Sequence, residues 1–571
     1  MSDATDDALT RRRFLATGAA AAMVAPAAAG EAIVQPEDAD GSNEHTDEIT
    51  PATVAEAQKI AALAFTEKER RLIVPGLKRA ASRYRDRRQR SSLPNGLGPA
   101  TVFDPGSIGS VGEREQRLVY SDDDPGPLPD ADRDIAFAPA RSQSIWIRRG
   151  DLTSTRLTRI YLDRLRPIGA KLEAVITITE DLAMRQAHRA DEELKAGRWR
   201  GSLHGLCWGA KDLLDTRGIR TTWGAAPYKD RVPDSDAAVV TRLADAGAVL
   251  VAKTTMGALA YGDMWFGGTT RNPWNLDQGS SGSSAGSAAG TAAGLFSFSL
   301  GTETLGSIVS PCMRCGATGL RPTFGRVART GAMALCWSMD KIGVLCRSCE
   351  DCAMVLPAIA GADPGDASSV DAPFNFDATR AIDTLRVGYV PTWFEKGSAS
   401  DVDRAALKAC RGLGVQMVEM KDLPDLPYGA LLTILNVEAA AAFEELTLTD
   451  RDDELTWQEP RAWPNSFRTT WFTPAIEFVQ AMRFRRQVTR VFDAWMSDVD
   501  AIIGPSFAGP MLVVTNNTGH PSLTFRAGFD KPDQPRGVTI WGHLFDEGTI
   551  VRLGMALERA LDVWDRRPPI G

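Results

Sequence analysis

Residues 278 to 290 read Gln-Gly-Ser-Ser-Gly-Ser-Ser-Ala-Gly-Ser-Ala-Ala-Gly, thirteen positions holding five serines and four glycines and no charge. Flexible linkers have this composition. The neighbours argue against one. Asn272-Pro273-Trp274-Asn275 upstream is a turn carrying a large apolar ring, and Leu295 to Leu300 downstream alternates apolar and polar residues as a buried strand does. A stretch of small residues between folded elements brings backbone close to backbone, or aims hydroxyls at a reacting atom.

The rest of the chain is ordinary for a globular protein: 571 residues, 43% hydrophobic and 24% charged. A formal charge of −8, well spread, argues against a nucleic-acid surface. No apolar run reaches the roughly 18 residues of a membrane helix, so no stable membrane anchor is expected.

The beginning of the sequence carries an address. Thr10-Arg11-Arg12-Arg13-Phe14-Leu15 precedes small and apolar residues from Ala16 to Ala29, the order of a twin-arginine export signal, with Ala27-Ala28-Ala29 fitting the cleavage rule. A basic nuclear or lipid-binding patch fits the following Ala/Met/Val stretch poorly. Residues 1–29 are therefore expected to be a signal peptide of a bacterial protein that works in the periplasm or outside the cell.

Eight cysteines include Cys312-x-x-Cys315 and Cys346-x-x-Cys349-x-x-Cys352, a spacing seen at zinc and iron–sulfur sites. They sit among Pro, Met and Arg without the paired turns of a zinc knuckle, and Cys352 precedes Ala-Met-Val-Leu, where a small buried residue serves equally well. Structural thiols or a disulfide are the expectation and no metal is assigned.

Residues 30–150 are expected to be a disordered spacer and a helical to irregular extension: acidic to about 50, helical from Pro51 to Arg90, then rich in Pro, Gly and Asp. From 151 to 571 amphipathic helices, such as Thr153 to Leu165 and Asp181 to Ala196, alternate with strand-like runs at 172–177, 248–252, 295–300, 385–390 and 501–504. That alternation predicts an α/β fold, a single large domain with a mixed twisted sheet covered by helices, preceded by an N-terminal helical arm.

Three segments then fall into one pattern: Trp208-Gly209-Ala210-Lys211-Asp212, Gly282-Ser283-Ser284-Ala285-Gly286-Ser287 and Gly301-Thr302-Glu303-Thr304-Leu305-Gly306-Ser307-Ile308. With Gly316 to Val327, Gly519-His520-Pro521-Ser522-Leu523 and Phe545-Asp546-Glu547, they closely resemble the amidase signature family of Ser–cisSer–Lys amide hydrolases, from about Thr153 to Arg559. The resemblance implies Ser307 as the acyl-forming nucleophile, Ser283 as the serine after a cis peptide bond and Lys211 as the general base. It also implies an oxyanion hole from the backbone N–H groups of Thr304, Leu305, Gly306 and Ser307, and no cofactor.

The chemistry explains these residue types. A serine hydroxyl attacks an amide only if a nearby base takes its proton, and a lysine serves only when neutral, with its pKa brought well below about 10.4. A lone lysine is ordinarily solvated, but Lys211 stands between Leu206-Cys207-Trp208 and Leu213-Leu214. Gly282 and Gly286 suit a bed of closely packed backbone. The sequence departs from the family's pattern at Glu303, Leu305 and Val309, where Asp, glycine and, after the serine, arginine are usual, and at Cys207, where proline is frequent.

Gly282-x-Ser284-x-Gly286 also matches the nucleophile elbow of α/β-hydrolases, with His520 or His543 as base. That elbow needs a strand before it, and Asn275 to Gly279 reads as turn-like; it also leaves Lys211 and the 301 to 307 segment unexplained. His45, His188 and His204 read as surface or helix residues. Met256, Ser284 and Trp337 are candidates for substrate binding, with Trp265 and Phe266 beside them.

The expected function is hydrolysis of a carboxamide C–N bond in a small molecule through a serine acyl-enzyme. Ester or carbamate hydrolysis by the same residues, a silent binding member, and an exported cysteine-rich metal or redox-binding protein are the alternatives. Amide transfer on transfer RNA requires cytosolic partner subunits and fits an exported protein badly; a homodimer is compatible with everything above.

Overall fold

Lys211 ends a strand that lies inside an eleven-stranded sheet, and this sheet organises the chain. The computed structural model describes residues 49–570 apart from 91, 92, 110, 113, 114, 396, 398, 532 and 564. The expected export segment at 1–29 and His45 lie outside the described residues. The chain divides into two compact units, Met1–Ser91 and Ser92–Gly571. The described part of the first holds two helices, Pro51–Ile60 and Glu67–Arg90. Thr50 starts the earlier one by accepting the Thr53 N–H on its hydroxyl.

The second unit is a single large α/β domain. The strands of its eleven-stranded sheet, in chain order, are β1 (Val175–Ile178), β2 (Cys207–Lys211), β3 (Val249–Thr254), β4 (Phe298–Glu303), β5 (Thr318–Arg321) and β6 (Lys341–Cys346). They continue as β7 (Arg386–Tyr389), β8 (Gln416–Glu419), β9 (Ala501–Pro505), β10 (Ser522–Lys531) and β11 (Gln534–Gly542). The order across the sheet is β8-β7-β9-β11-β10-β5-β6-β4-β2-β3-β1. β4, β2 and β3 run parallel, whereas β6 joins β4 and β10 joins β5 antiparallel, so the sheet is mixed. β2, β3, β4 and β6 are buried along their whole length. β3 and β6 read as the apolar runs expected of strands covered on both faces, whereas β4 alternates apolar with small polar residues although both its faces are buried.

The serine-rich stretch becomes the helix Ala285–Ala292, in which every residue is buried. Its small side chains let it lie directly on the sheet, where Ser287 Oγ donates to Leu300 O at 2.9 Å and Thr291 Oγ1 lies 2.9 Å from Ser299 Oγ. Two expectations need correction. Asn275–Gly279 is a strand, paired with Arg271–Asn272 around the Pro273-Trp274 turn, because that hairpin satisfies its backbone locally. His204 is a buried residue, with its Nε2 2.9 Å from Ala190 O and its ring against Trp199.

Residues 92–150 belong to the same compact unit as the sheet. Within them Arg117–Val119 pairs with Asn375–Asp377, and the helix Ala140–Arg149 buries Trp146 and Ile147. Among the described residues no helix is long and apolar enough to cross a membrane.

Candidate active site

The carboxyl ends of the parallel strands β2 and β4 lie side by side, with Ala210 opposite Leu300. The next residues on each, Lys211 and Gly301-Thr302, therefore meet at the edge where open α/β sheets bind their ligands. Lys211 is fully buried. Its Nζ lies 2.8 Å from Ser283 Oγ, 2.8 Å from Thr302 Oγ1, 3.1 Å from Ser284 Oγ and 3.4 Å from Thr302 O. All four partners are neutral oxygens. Burial accordingly lowers the lysine to about 7, against smaller opposing pulls from Asp340 and Glu303.

Ser283 follows a cis Gly282–Ser283 peptide, and a side chain at Gly282 would collide with Gly262 O at 1.9 Å. Only glycine lets the two loops pass this closely. Ser284 is buried, and its hydroxyl is fully used: it donates to Thr302 O at 3.0 Å and accepts from Thr302 N at 3.1 Å as well as from Lys211. Those bonds hold the lysine in place and leave no lone pair for a ligand. The Ser284 N–H donates to Ser307 O at 3.2 Å, tying the bed to the third segment.

Ser307 is 8% exposed. Among the described residues its hydroxyl makes no hydrogen bond to Ser283, the loose arrangement common before substrate arrives. Gly306 takes φ +86°, in the left-handed region open to glycine, with Leu512 packed against it. Among the described residues the N–H groups of Leu305, Gly306 and Ser307 have no protein acceptor. Thr304 is anchored instead by its side chain, Oγ1 donating to Asp340 at 2.5 Å.

Glu303 shapes this turn. Its carboxylate accepts the N–H groups of Ile308 at 2.8 Å and Val309 at 2.9 Å, starting the helix Val309–Cys315, while Arg321 at 2.7 Å and Asn516 at 2.8 Å hold the other oxygen. Burial is the largest influence and pushes the carboxyl up, but Arg321 and these donors together hold it at about 2. The stability this carboxylate lends is therefore complete above its usual 4.5 and is lost as pH falls toward 2. Arg321→Met, which strands this buried charge, is expected to cost about 3–5 kcal/mol in urea unfolding at neutral pH.

A second buried lysine, Lys253, lies behind the first. Its Nζ donates to Leu214 O and Thr221 Oγ1 and sits 3.7 Å from Asp212 Oδ1, so it fixes the loop after Lys211 and touches neither serine. Of the other sequence candidates, Trp337 lines a cavity beside Thr302 and Thr304. Met256 is buried beneath Gly224, and Trp265 and Phe266 stack edge to face with each other. His520 is buried, with Nδ1 2.8 Å from Thr518 Oγ1, and burial lowers it to about 3; His543 Nε2 lies 2.8 Å from Val499 O. The eight cysteines are buried free thiols, and among the described residues no three metal-binding side chains converge.

Thr302 and Arg321 join the site from segments that carry the family resemblance but with no role assigned there, and Asp340 joins it from outside those segments. Thr302 had a signal, since it stands two residues beyond the strand position facing Ala210, but Asp340 and Arg321 reach the site only through the antiparallel strand partners.

A family model for amidases matches residues 156–551. A chain of the glutamyl-tRNA(Gln) amidotransferase of Roseiflexus sp. (strain RS-1) is 33% identical over 471 residues, covering 74% of this chain and 96% of that one. The native peptide amidase of Stenotrophomonas maltophilia shares the fold with a TM-score of 0.67 at 28% identity, over 76% of this chain and 98% of its own. An amidase family protein of Bacillus anthracis str. Ames gives 0.67 at 25% identity, over 77% and 93%. An α/β fold of this kind, with these likenesses, defines an enzyme that hydrolyses amide C–N bonds. The chain belongs to the amidase signature family.

Proposed function

We propose that the enzyme cleaves a small carboxamide through an acyl-enzyme on Ser307, with neutral Lys211 as general base and Ser283 as the relay between them. Ser307 Oγ bonds to the carbonyl carbon; its proton passes to Ser283 Oγ as the Ser283 proton moves to Lys211. Charge gathering on the carbonyl oxygen faces the N–H groups from Thr304 to Ser307. The C–N bond then breaks, the leaving nitrogen takes the proton back through Ser283, and water hydrolyses the ester by the same route. No step calls for a cofactor. The observation that carries this reading is the buried Lys211 Nζ 2.8 Å from Ser283 Oγ and surrounded by neutral oxygens.

Mapping the adduct of a fluorophosphonate probe by peptide mass spectrometry tests it. The adduct is expected on Ser307, and an adduct on Ser284 establishes the elbow chemistry instead. Small amides suit a chain of formal charge −8 better than the transfer RNA named for its amidotransferase relative. We also propose twin-arginine export to the periplasm. Arg11→Lys with Arg12→Lys is expected to leave the precursor in the cytoplasm of a bacterial host, and an unchanged periplasmic yield refutes export.

A further inference from the structure

A cavity of about 660 Å3 opens beside the catalytic bed, within the roughly 300–1,000 Å3 of sites that enclose an organic ligand. Thr302 and Thr304 contribute to its lining, and Thr302 Oγ1 is 2.8 Å from Lys211 Nζ, so the cavity reaches the base's own hydrogen-bond partner.

Its charged residues are already committed. Arg329 pairs with Asp366 at 2.9 Å, and Asp340 accepts from Thr304 Oγ1 and from the N–H groups of Leu335 and Cys336. Glu438 accepts from the Ser338 hydroxyl and N–H, and Lys341 donates to Met339 O and Asn516 O. A charged ligand would have to break one of these buried arrangements. Apart from Thr101, the rest of the wall is mostly hydrocarbon, including Leu97, Val102, Trp337, Phe478, Val479 and Met482. Leu97, Val102 and Val479 are 58%, 46% and 56% exposed, an apolar mouth left uncovered.

One side of that mouth comes from residues 96–103, a stretch that precedes the matched family region at 156–551. Asn95 pins it to two parts of the domain. Its Oδ1 accepts the Ala334 N–H at 2.7 Å, and its Nδ2 donates to Ala334 O at 2.8 Å and to Ala442 O at 3.3 Å. Trp337 Nε1 donates to Asn95 O at 3.1 Å, fixing the indole that lines the cavity.

We infer that the cavity takes a large, uncharged alkyl or aryl group of the amide substrate, and that the segment from Asn95 to Phe103 sets which groups fit, with Asn95 its positioning residue. The inference rests on the Ser307 acyl-enzyme reading. Fluorophosphonates with ethyl, butyl and hexyl chains, and a hexyl chain ending in a carboxylate, probe the cavity whatever leaving group the natural amide carries.

The second-order rate of Ser307 labelling is expected to rise roughly fourfold per methylene, the worth of burying one such group. The carboxylate probe is expected to fall at least tenfold below its hexyl counterpart. Asn95→Ala is expected to shrink the hexyl-to-ethyl ratio about tenfold, whereas a general loss of stability lowers both rates together. Val102→Arg, on the exposed rim, is expected to raise the carboxylate probe relative to hexyl. Labelling of Ser307 that ignores chain length or favours the carboxylate overturns the substrate class, and an unchanged ratio in Asn95→Ala overturns the role of the segment. Absence of a Ser307 adduct from every probe overturns the acyl-enzyme reading itself, and this inference with it.

Discussion

Ser307→Ala is expected to lower kcat by roughly 10^3-fold or more and to abolish fluorophosphonate labelling, while thermal unfolding stays within a degree or two of the parent. The two halves of this expectation have separate causes. Without the hydroxyl no acyl-enzyme forms, and what activity survives is water attacking an amide held near the oxyanion donors. The fold loses little because the Ser307 hydroxyl bonds neither to Ser283 nor to any other group among the described residues, so its removal leaves no buried partner unsatisfied. Burial of the side chain is also incomplete, since Ser307 is 8% exposed. Stopped-flow or end-point amide hydrolysis against enzyme concentration, with a melting curve on the same preparation, checks both halves. Retained turnover with an intact melting curve places the nucleophile elsewhere.

Much of the site was legible because its chemistry lies in short contiguous segments. Lys211 after Leu206-Cys207-Trp208, Ser283 in a bed without large side chains and Ser307 after a strand each carry a local mark, and β1, β3, β4, β7 and β9 show as strand-like runs, whereas β2 (Cys207–Lys211) is too short and too mixed to read as one. What decides the electrostatics carries no such mark. Arg321 neutralises Glu303 from β5, and Asp340 holds Thr304 just before β6; both contacts arise from antiparallel pairing that no sequence spacing announces. The short strands Thr318–Arg321 and Gln416–Glu419 offer four residues each, too few for a period to show. The hairpin of β10 and β11 lacks a two-residue Asn-Gly or Asp-Gly turn, and bulges between Arg526 and Lys531 break its alternation. Asn275–Gly279 reads as a turn for a related reason: its Asn, Asp and Gly composition suits turns, and only pairing with Arg271–Asn272 makes it extended.

Lys211 bears the largest expected effect on the shape of the enzyme's response to pH. Burial among neutral oxygens brings its folded pKa down to about 7 from the usual 10.5. Between those values the unfolded chain binds one more proton than the folded one, so stability rises with pH across that window, and the buried lysine costs stability below it. Lys211→Met removes that cost and is expected to melt at or above the parent temperature at neutral pH, while losing roughly 10^3-fold or more in kcat/KM. A variant that is more stable and nearly inactive marks the lysine as retained for chemistry rather than for folding.

The most direct measurement is the pH dependence of kcat/KM for the parent and for Lys211→Met on one amide. In the parent, kcat/KM is expected to rise with pH through a midpoint near the lysine's value of about 7 and then level off, because only the neutral amine accepts the Ser283 proton. The midpoint belongs to the coupled lysine and serines together. In Lys211→Met the residual activity is expected to lose that acid limb. A limb that persists in the variant with the same midpoint contradicts the assignment of Lys211 as the base.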